Sequence, residues 1–226
     1  VSAGRRARGR QGPPGEAAEA LVLDGVDVRD DRVVTLWVQG RGRLRAAARG
    51  GRKSARRFGA HIAPLTRAEV KLRSRPDWEL GRLEWAEARE VFAVLKADLR
   101  RLALGTTMAE VILHLLPEHD DDPALYALTL RAWRSLDDPK RRPSEDLLLL
   151  FELRALALTG FLPPWDQAAD LSAEARAVLT GWQDGRWAPL PPGARRAVAA
   201  FLEGAVCEAS GRPLRSRPFL DEVLPR

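Results

Sequence analysis

Residues 47–61 read AARGGRKSARRFGAH, five cationic side chains set around two adjacent glycines with no acidic residue among them. Counted from position 41, the run holds Arg41, Arg43, Arg45, Arg49, Arg52, Lys53, Arg56 and Arg57, again with no Asp or Glu. Charge of this density has three uses: it solvates a loop, cradles a nucleoside triphosphate, or grips the backbone of a nucleic acid. The segment GGRKS has the look of a phosphate-binding loop, but that motif requires Gly directly before the Lys, an apolar strand ahead and a helix starting at once, so that backbone N–H groups converge on phosphate. Arg52 stands at the glycine position and ARRFGAHIAP is no helix start, which argues against a nucleotide site. Gripping a backbone needs only cations on a surface, because each neutralised phosphate releases condensed counterions and so lowers the free energy of binding. Five engaged cations on single-stranded DNA predict a log–log salt slope of roughly −3.5. Phe58, with Trp37 or Trp78 if they face outward, are candidates to stack bases. The ordinary alternative is a solvated charged loop, since most charge runs are that.

The other reactive residues offer less. Asp24, Asp27, Asp30 and Asp31 resemble the acidic set of a two-metal nuclease, yet they crowd into one hairpin without a histidine, where Asp is ordinary turn chemistry. His114 falls on a helix beside Leu113 and Leu116 and reads as structural, and PEHDDDP around His119 reads as a helix-ending loop. Neither spacing nor order suggests a Ser-His-Asp triad, so no catalytic residue is expected. The single cysteine, Cys207, excludes a disulfide framework and a Cys-x-x-Cys zinc pair and fits a reducing cytosol.

These residues must be positioned by two kinds of element. From 20 to about 88 the apolar residues recur with a period near two. ALVLDGV and RVVTLWV, joined by the acidic turn DVRDD, predict a hairpin. GRLRAAAR alternates Arg43 and Arg45 with Leu44 and Ala46, which turns guanidinium groups outward and apolar groups inward. LTRAEVKLR does the same, with Lys71 and Arg73 on its outer face as further candidate contacts, and WELGRLEWAEA completes five strands. Five short strands with Gly-rich turns predict a small antiparallel barrel of the oligonucleotide-binding (OB) type. Trp37 and Trp85 are expected in its interior, where aromatics usually sit.

After residue 90 the period becomes helical. Leu95, Leu99, Leu102, Ala109, Leu113 and Leu116 form one apolar stripe, predicting a single helix that ends at Pro117. Asp122 with Pro123, and Ser144 with Gly160, bracket the next two helices, the second apolar nearly all round and therefore central. Helices from Ser172 and from Pro192, and a closing RSRPFLDEV segment, complete a helical bundle. The predicted organisation is a basic disordered tail over residues 1–18, an OB-fold domain over 19–90 and an all-helical domain over 91–226.

Residues 1–75 carry 18 Lys and Arg against 7 Asp and Glu, a balance of +11, within a whole-chain charge of +6, so the remainder is acidic. Only the first part has the field to steer a polyanion. No stretch approaches the roughly 20 apolar residues of a membrane span, and the start VSAGRRARGRQGPPGE lacks the apolar core of a secretory signal. A soluble, cytoplasmic chain is expected.

Taken in order, DDRVVTLWVQGRGRLRAAARGGRKSARRFGAHIAPLTRAEVKL, LLLLFELRALALTGFLPPWDQ and GRPLRSRPFLDEV resemble the barrel strands with their basic-glycine loop, the central helix and the terminal segment of the bacterial recombination mediator family RecO. The resemblance implies an N-terminal OB barrel and a helical domain without catalytic turnover. Its members bind single- and double-stranded DNA, anneal complementary strands, recognise the acidic C-terminal tail of single-strand-binding protein (SSB), and act with RecR to load RecA. It implies DNA contact chiefly for Arg45, Arg49, Arg52, Lys53, Arg56 and Arg57, turn roles for Gly42 and Gly50, and a nucleoid-associated location. Many members carry a four-cysteine zinc module after the central helix; here Ala168 and Ala169 stand where it would begin, so neither zinc nor another cofactor is expected. An OB-fold RNA-binding or ribosome-associated factor is the alternative that the same basic barrel suits.

Overall fold

The computed structural model describes residues 17–51, 58–73, 79–166, 168–191 and 193–224. Five strands, β1 (Ala17–Val28), β2 (Asp31–Val38), β3 (Gly42–Ala48), β4 (Thr66–Arg73) and β5 (Gly81–Glu90), close into a barrel in the order β1-β2-β3-β5-β4. Every pairing is antiparallel except β3 with β5, which run parallel through Ala46–Gly81 and Ala47–Arg82. This is the expected OB-type barrel, mixed β then α along the chain.

The burial pattern follows from what each strand faces. In β3 and β4 apolar and polar residues alternate: Leu44, Ala46 and Ala48, and Ala68, Val70 and Leu72, fill the barrel, while their neighbours point out. β1 and β2 instead contain nearly continuous apolar runs, because both their faces are covered. Ala20, Val22, Leu36 and Val38 point into the barrel, and Leu21, Leu23 and Trp37 point out into a second core made with the helices. Trp37 is fully buried there, with its ring edge-on to Tyr126 at 5.3 Å. The expectation of Trp37 inside the barrel is therefore corrected: it faces out of the barrel and is buried by the helices.

The helices are α1 (Ala93–Ala97), α2 (Leu99–Leu115), α3 (Pro123–Asp137), α4 (Glu145–Thr159), α5 (Ala173–Gln183), α6 (Ala194–Ser210) and α7 (Arg217–Val223). The predicted single helix over 95–116 is broken at Asp98. Its carboxylate accepts hydrogen bonds from the Arg100 and Arg101 N–H groups, so Asp98 caps α2 rather than continuing α1. The anticipated caps Asp122 and Ser144 and the helix-ending Gly160 all occur, and Ser172, the expected start of the next helix, caps α5. α4 is buried on most sides and packs against α2, α3 and α6, as its all-round apolar sequence requires.

A seam joins barrel and helices. The Asp121 carboxylate, at the α2–α3 connection, accepts from Trp37 Nε1 at 3.1 Å and from the Gly40 N–H at 2.9 Å, tying down the β2–β3 turn. The 119 and 120 backbone pairs with that of Arg43 at the start of β3. Gly42 makes this approach feasible: its φ is +77°, and a Cβ there would lie 2.3 Å from the Asp120 carbonyl oxygen. Gly42→Val is therefore expected to destabilise the fold by at least ~2 kcal/mol. A thermal midpoint within a degree or so of wild type would contradict that close approach. On the same outer face, one strand beyond Leu21 from Trp37, Arg67 bridges Glu19 and Glu90, and Arg134 of α3 also binds Glu90. Those hydrogen bonds, Arg134's foremost, hold the Glu90 carboxyl down to about 2 against the opposing effect of its partial burial.

Candidate nucleic-acid interface

The described part of the run, 41–51, does not form one patch. β3 carries its cations from one end of the barrel to the other, so Arg41 and Arg49 are separated by roughly 26 Å at ~3.3 Å per residue. Arg41 is half-buried in the β2–β3 turn, where its N–H donates to the Val38 carbonyl. Arg43 lies in the seam: its Nε donates to the Leu116 carbonyl at 2.7 Å, Nη1 is 3.9 Å from Glu118, and burial lowers its pKa. A guanidinium that donates to a carbonyl and lies near a carboxylate at a packed junction is less available to phosphate than that of exposed Arg45.

Arg45 and Arg49 are exposed on the barrel's outer face, toward the end where β3 leaves for the 52–57 segment. Arg52, Lys53, Arg56 and Arg57 lie outside the described residues. Gly50 lies in the turn that follows β3, with φ of +66°, and its N–H donates to the Asp31 carboxylate at 2.7 Å. Gly51 is packed: a Cβ there would sit 2.8 Å from the Ala48 carbonyl. The glycine pair thus turns the chain over the barrel rim, and the chain returns at Phe58. Phe58 is fully buried in the barrel core, so it closes the barrel rather than stacking bases. Trp78 lies outside the described residues.

Lys71 and Arg73 are on the outer face of β4, with Arg73 Nε 2.5 Å from a Glu84 oxygen. The register adds a residue that the sequence reading missed. Arg82 is exposed on β5, directly opposite Arg73 and beside Ala47 of β3. Its signal was the outward slot next to Gly81, visible only once the β3–β5 pairing is known. Arg45, Arg49, Arg82, Arg73 and Lys71 therefore share the outer face of β3, β5 and β4. Like charges directly opposite one another, as Arg73 and Arg82 are, cost stability unless an anion lies nearby; Glu84 supplies one carboxylate.

The hairpin carboxylates serve as turn and ion-pair groups: Asp27 binds Arg32 at 2.9 Å, Asp24 accepts from Gly25 and Asp31 from Gly50. Among the described residues no group of three His, Cys, Asp or Glu side chains converges as a metal site would need, and no helix is long and apolar enough to cross a membrane. The His114 side chain, 3% exposed, lies 2.7 Å from Ser210 Oγ through Nδ1, and burial lowers its pKa.

The helical part holds a second feature. Between α3 and α4 lies a cleft of about 410 Å³ with Leu128, Ala132, Leu147, Leu150 and Phe151 as its apolar lining, and with Arg131, Arg134, Arg141 and Arg154 around it. Arg131, Arg134 and Arg141 are exposed, and Asp138 is the one acidic residue lining it.

The family model described as "Recombination protein O N terminal" matches residues 16–92, and "Recombination protein O C terminal" matches residues 96–206. The chain belongs to the RecO family. Among proteins named "DNA repair protein RecO", that of Anaeromyxobacter sp. (strain Fw109-5) is 33% identical, over 91% of this chain and 95% of the relative. That of Geobacter sulfurreducens is 31% identical over 92% and 98% of the two chains. That of Myxococcus xanthus (strain DK1622) is 30% identical over 91% and 96%. The two RecO matches meet between residues 92 and 96, where the barrel gives way to α1.

Proposed function

We propose that this RecO-family chain is a non-catalytic DNA repair and recombination mediator. It binds single- and double-stranded DNA, anneals complementary strands, and with RecR helps load RecA on SSB-coated single strands. The observation that carries the reading is the set of outward cations on β3, β5 and β4 in a chain of this family. Two like-charged strands approach more readily once Arg and Lys offset their phosphates, so annealing needs a cationic surface and no reacting group. The chemistry is positioning by charge.

The cleft between α3 and α4 is the proposed seat of the SSB tail. An apolar lining under exposed Arg131 and Arg141 complements a short acidic peptide with a bulky apolar anchor: the lining buries the anchor and the guanidinium groups meet its carboxylates, while Arg134 stays on Glu90. Arg131→Glu combined with Arg141→Glu is expected to abolish annealing of SSB-coated strands while leaving naked strands annealed at the wild-type rate. The same loss is expected for the wild-type protein with SSB lacking its acidic tail. Equal annealing with intact and truncated SSB contradicts tail recognition. Competition between matched DNA and RNA oligomers tests the nucleic-acid class, because a preference that depends on the 2′-OH points to an RNA-binding factor instead.

A further inference from the structure

We propose that Trp85 is a base-stacking platform for single-stranded DNA, seated on the outer face of β4 and β5 among the cations of the barrel; this rests on the DNA-binding reading above. In β5 the inward side chains are Gly81, Leu83 and then Ala86 rather than residue 85. The cause is a shift of register. Lys71 pairs with Trp85 but Leu72 pairs with Leu83, so Glu84 is an extra residue and the strand bulges there. A bulge re-aims the side chains on either side of it. Without it, strict alternation from Leu83 would carry Trp85 into the barrel; with it, the indole stands on the outside, 38% exposed.

An indole left on a barrel exterior sacrifices the burial that usually holds it in a core. Among the described residues no aromatic ring packs against it. Its surroundings select the partner. Lys71 lies directly opposite on β4 and Arg73 is two residues further along, facing Arg82. Glu84, already engaged by Arg73, is one adjacent carboxylate; on the far side Glu87 and Glu69 face each other, and both are engaged by Arg89. A flat π surface with phosphate-neutralising cations along one side is the arrangement by which proteins hold unpaired bases without reading their sequence. A duplex keeps its base faces inside its own stack and cannot use the indole, whereas a single strand can. Trp85 therefore favours the single strand and holds bases unstacked from one another, which suits a surface on which complementary strands must meet.

The test measures binding of wild type, Trp85→Ala and Trp85→Phe to three fluorescein-labelled probes: an oligothymidylate, an abasic strand of equal length, and a hairpin duplex. Trp85→Ala is expected to weaken oligothymidylate binding ~10-fold or more. Binding to the abasic strand and to the duplex should not change, and Trp85→Phe should recover most of the loss. Arg82→Ala should weaken all three probes, because phosphate is common to them. Trp85→Ala binding oligothymidylate as wild type does, or losing the abasic strand equally, overturns the stacking role while leaving the proposed DNA binding intact. No binding of any probe by wild type overturns both. The substitution lies on the surface, and an unchanged circular dichroism spectrum and thermal midpoint separate loss of stacking from loss of fold.

Discussion

Replacing Arg45, Arg49 and Arg82 together by Ala is expected to lower affinity for single-stranded DNA roughly 100-fold at 0.1 M salt and to make the salt slope shallower by about 2. The effect is electrostatic. Each phosphate neutralised on a single strand contributes about −0.7 to the log–log slope, so three lost contacts remove about three such increments. All three side chains are exposed on adjacent barrel strands and none supports the core, so the variant should unfold as the wild type does. Arg43→Ala is the contrasting control. It comes from the same alternating run, but its guanidinium is tied to the Leu116 carbonyl in the seam. Its loss should lower the thermal midpoint, by leaving that carbonyl with one partner fewer, and leave the salt slope unchanged. Anisotropy titrations across a salt series measure both. A triple variant with wild-type slope, or an Arg43→Ala variant with a flattened one, would place the interface elsewhere.

The second large effect concerns the helical bundle. Glu152 on α4 is fully buried, and neither carboxyl oxygen has a hydrogen-bond partner. Burial pushes its pKa up to about 8, against the attraction of Arg217 on α7, while Glu203 on α6 and Glu145 on α4 add to the rise. Arg217, itself nearly buried, lies 3.1 Å from Glu203, 3.5 Å from Asp221 and 3.6 Å from Glu145. One guanidinium therefore serves several carboxylates. Because the folded chain holds the Glu152 proton more tightly than the unfolded chain, the contribution is fully present below pH ~4.5 and declines as pH rises toward about 8. Glu152→Gln keeps the shape of the protonated acid and cannot ionise. It is expected to match the wild type near pH 5 and to exceed it by a few kcal/mol near pH 8.5, measured by denaturant unfolding across pH. Parallel curves for the two proteins would show that Glu152 is not the group that titrates.

Much of this was legible in the sequence wherever local chemistry decides the outcome. The period-two alternation of GRLRAAAR and LTRAEVKL dictated which side chains face out, because a strand's pleat admits no other arrangement. Asp122, Ser144, Ser172 and Gly160 marked helix ends because capping is satisfied within a few residues. The break at Asp98 was equally local, yet it was hidden by an apolar stripe that continues across it.

What the chain alone left open depends on contacts between distant residues. Arg43 and Arg45 look equivalent in the alternating run, and only the docking of residues 116–121 against β3 puts one in a seam and leaves the other outside. Arg82 joins Arg45 and Arg49 solely through the parallel β3–β5 closure, a pairing between segments about 35 positions apart. Trp37 and Trp85 both occupy strands that predicted an interior. The helices bury the first from outside the barrel, and the second is turned outward by one extra residue in the β4–β5 register. By itself the sequence determined the elements, their polar faces and a basic N-terminal half, because these follow from propensity, periodicity and charge. Which cations share a surface, and which aromatic stays exposed, the tertiary structure alone decided, because register and domain packing are set by the whole core at once.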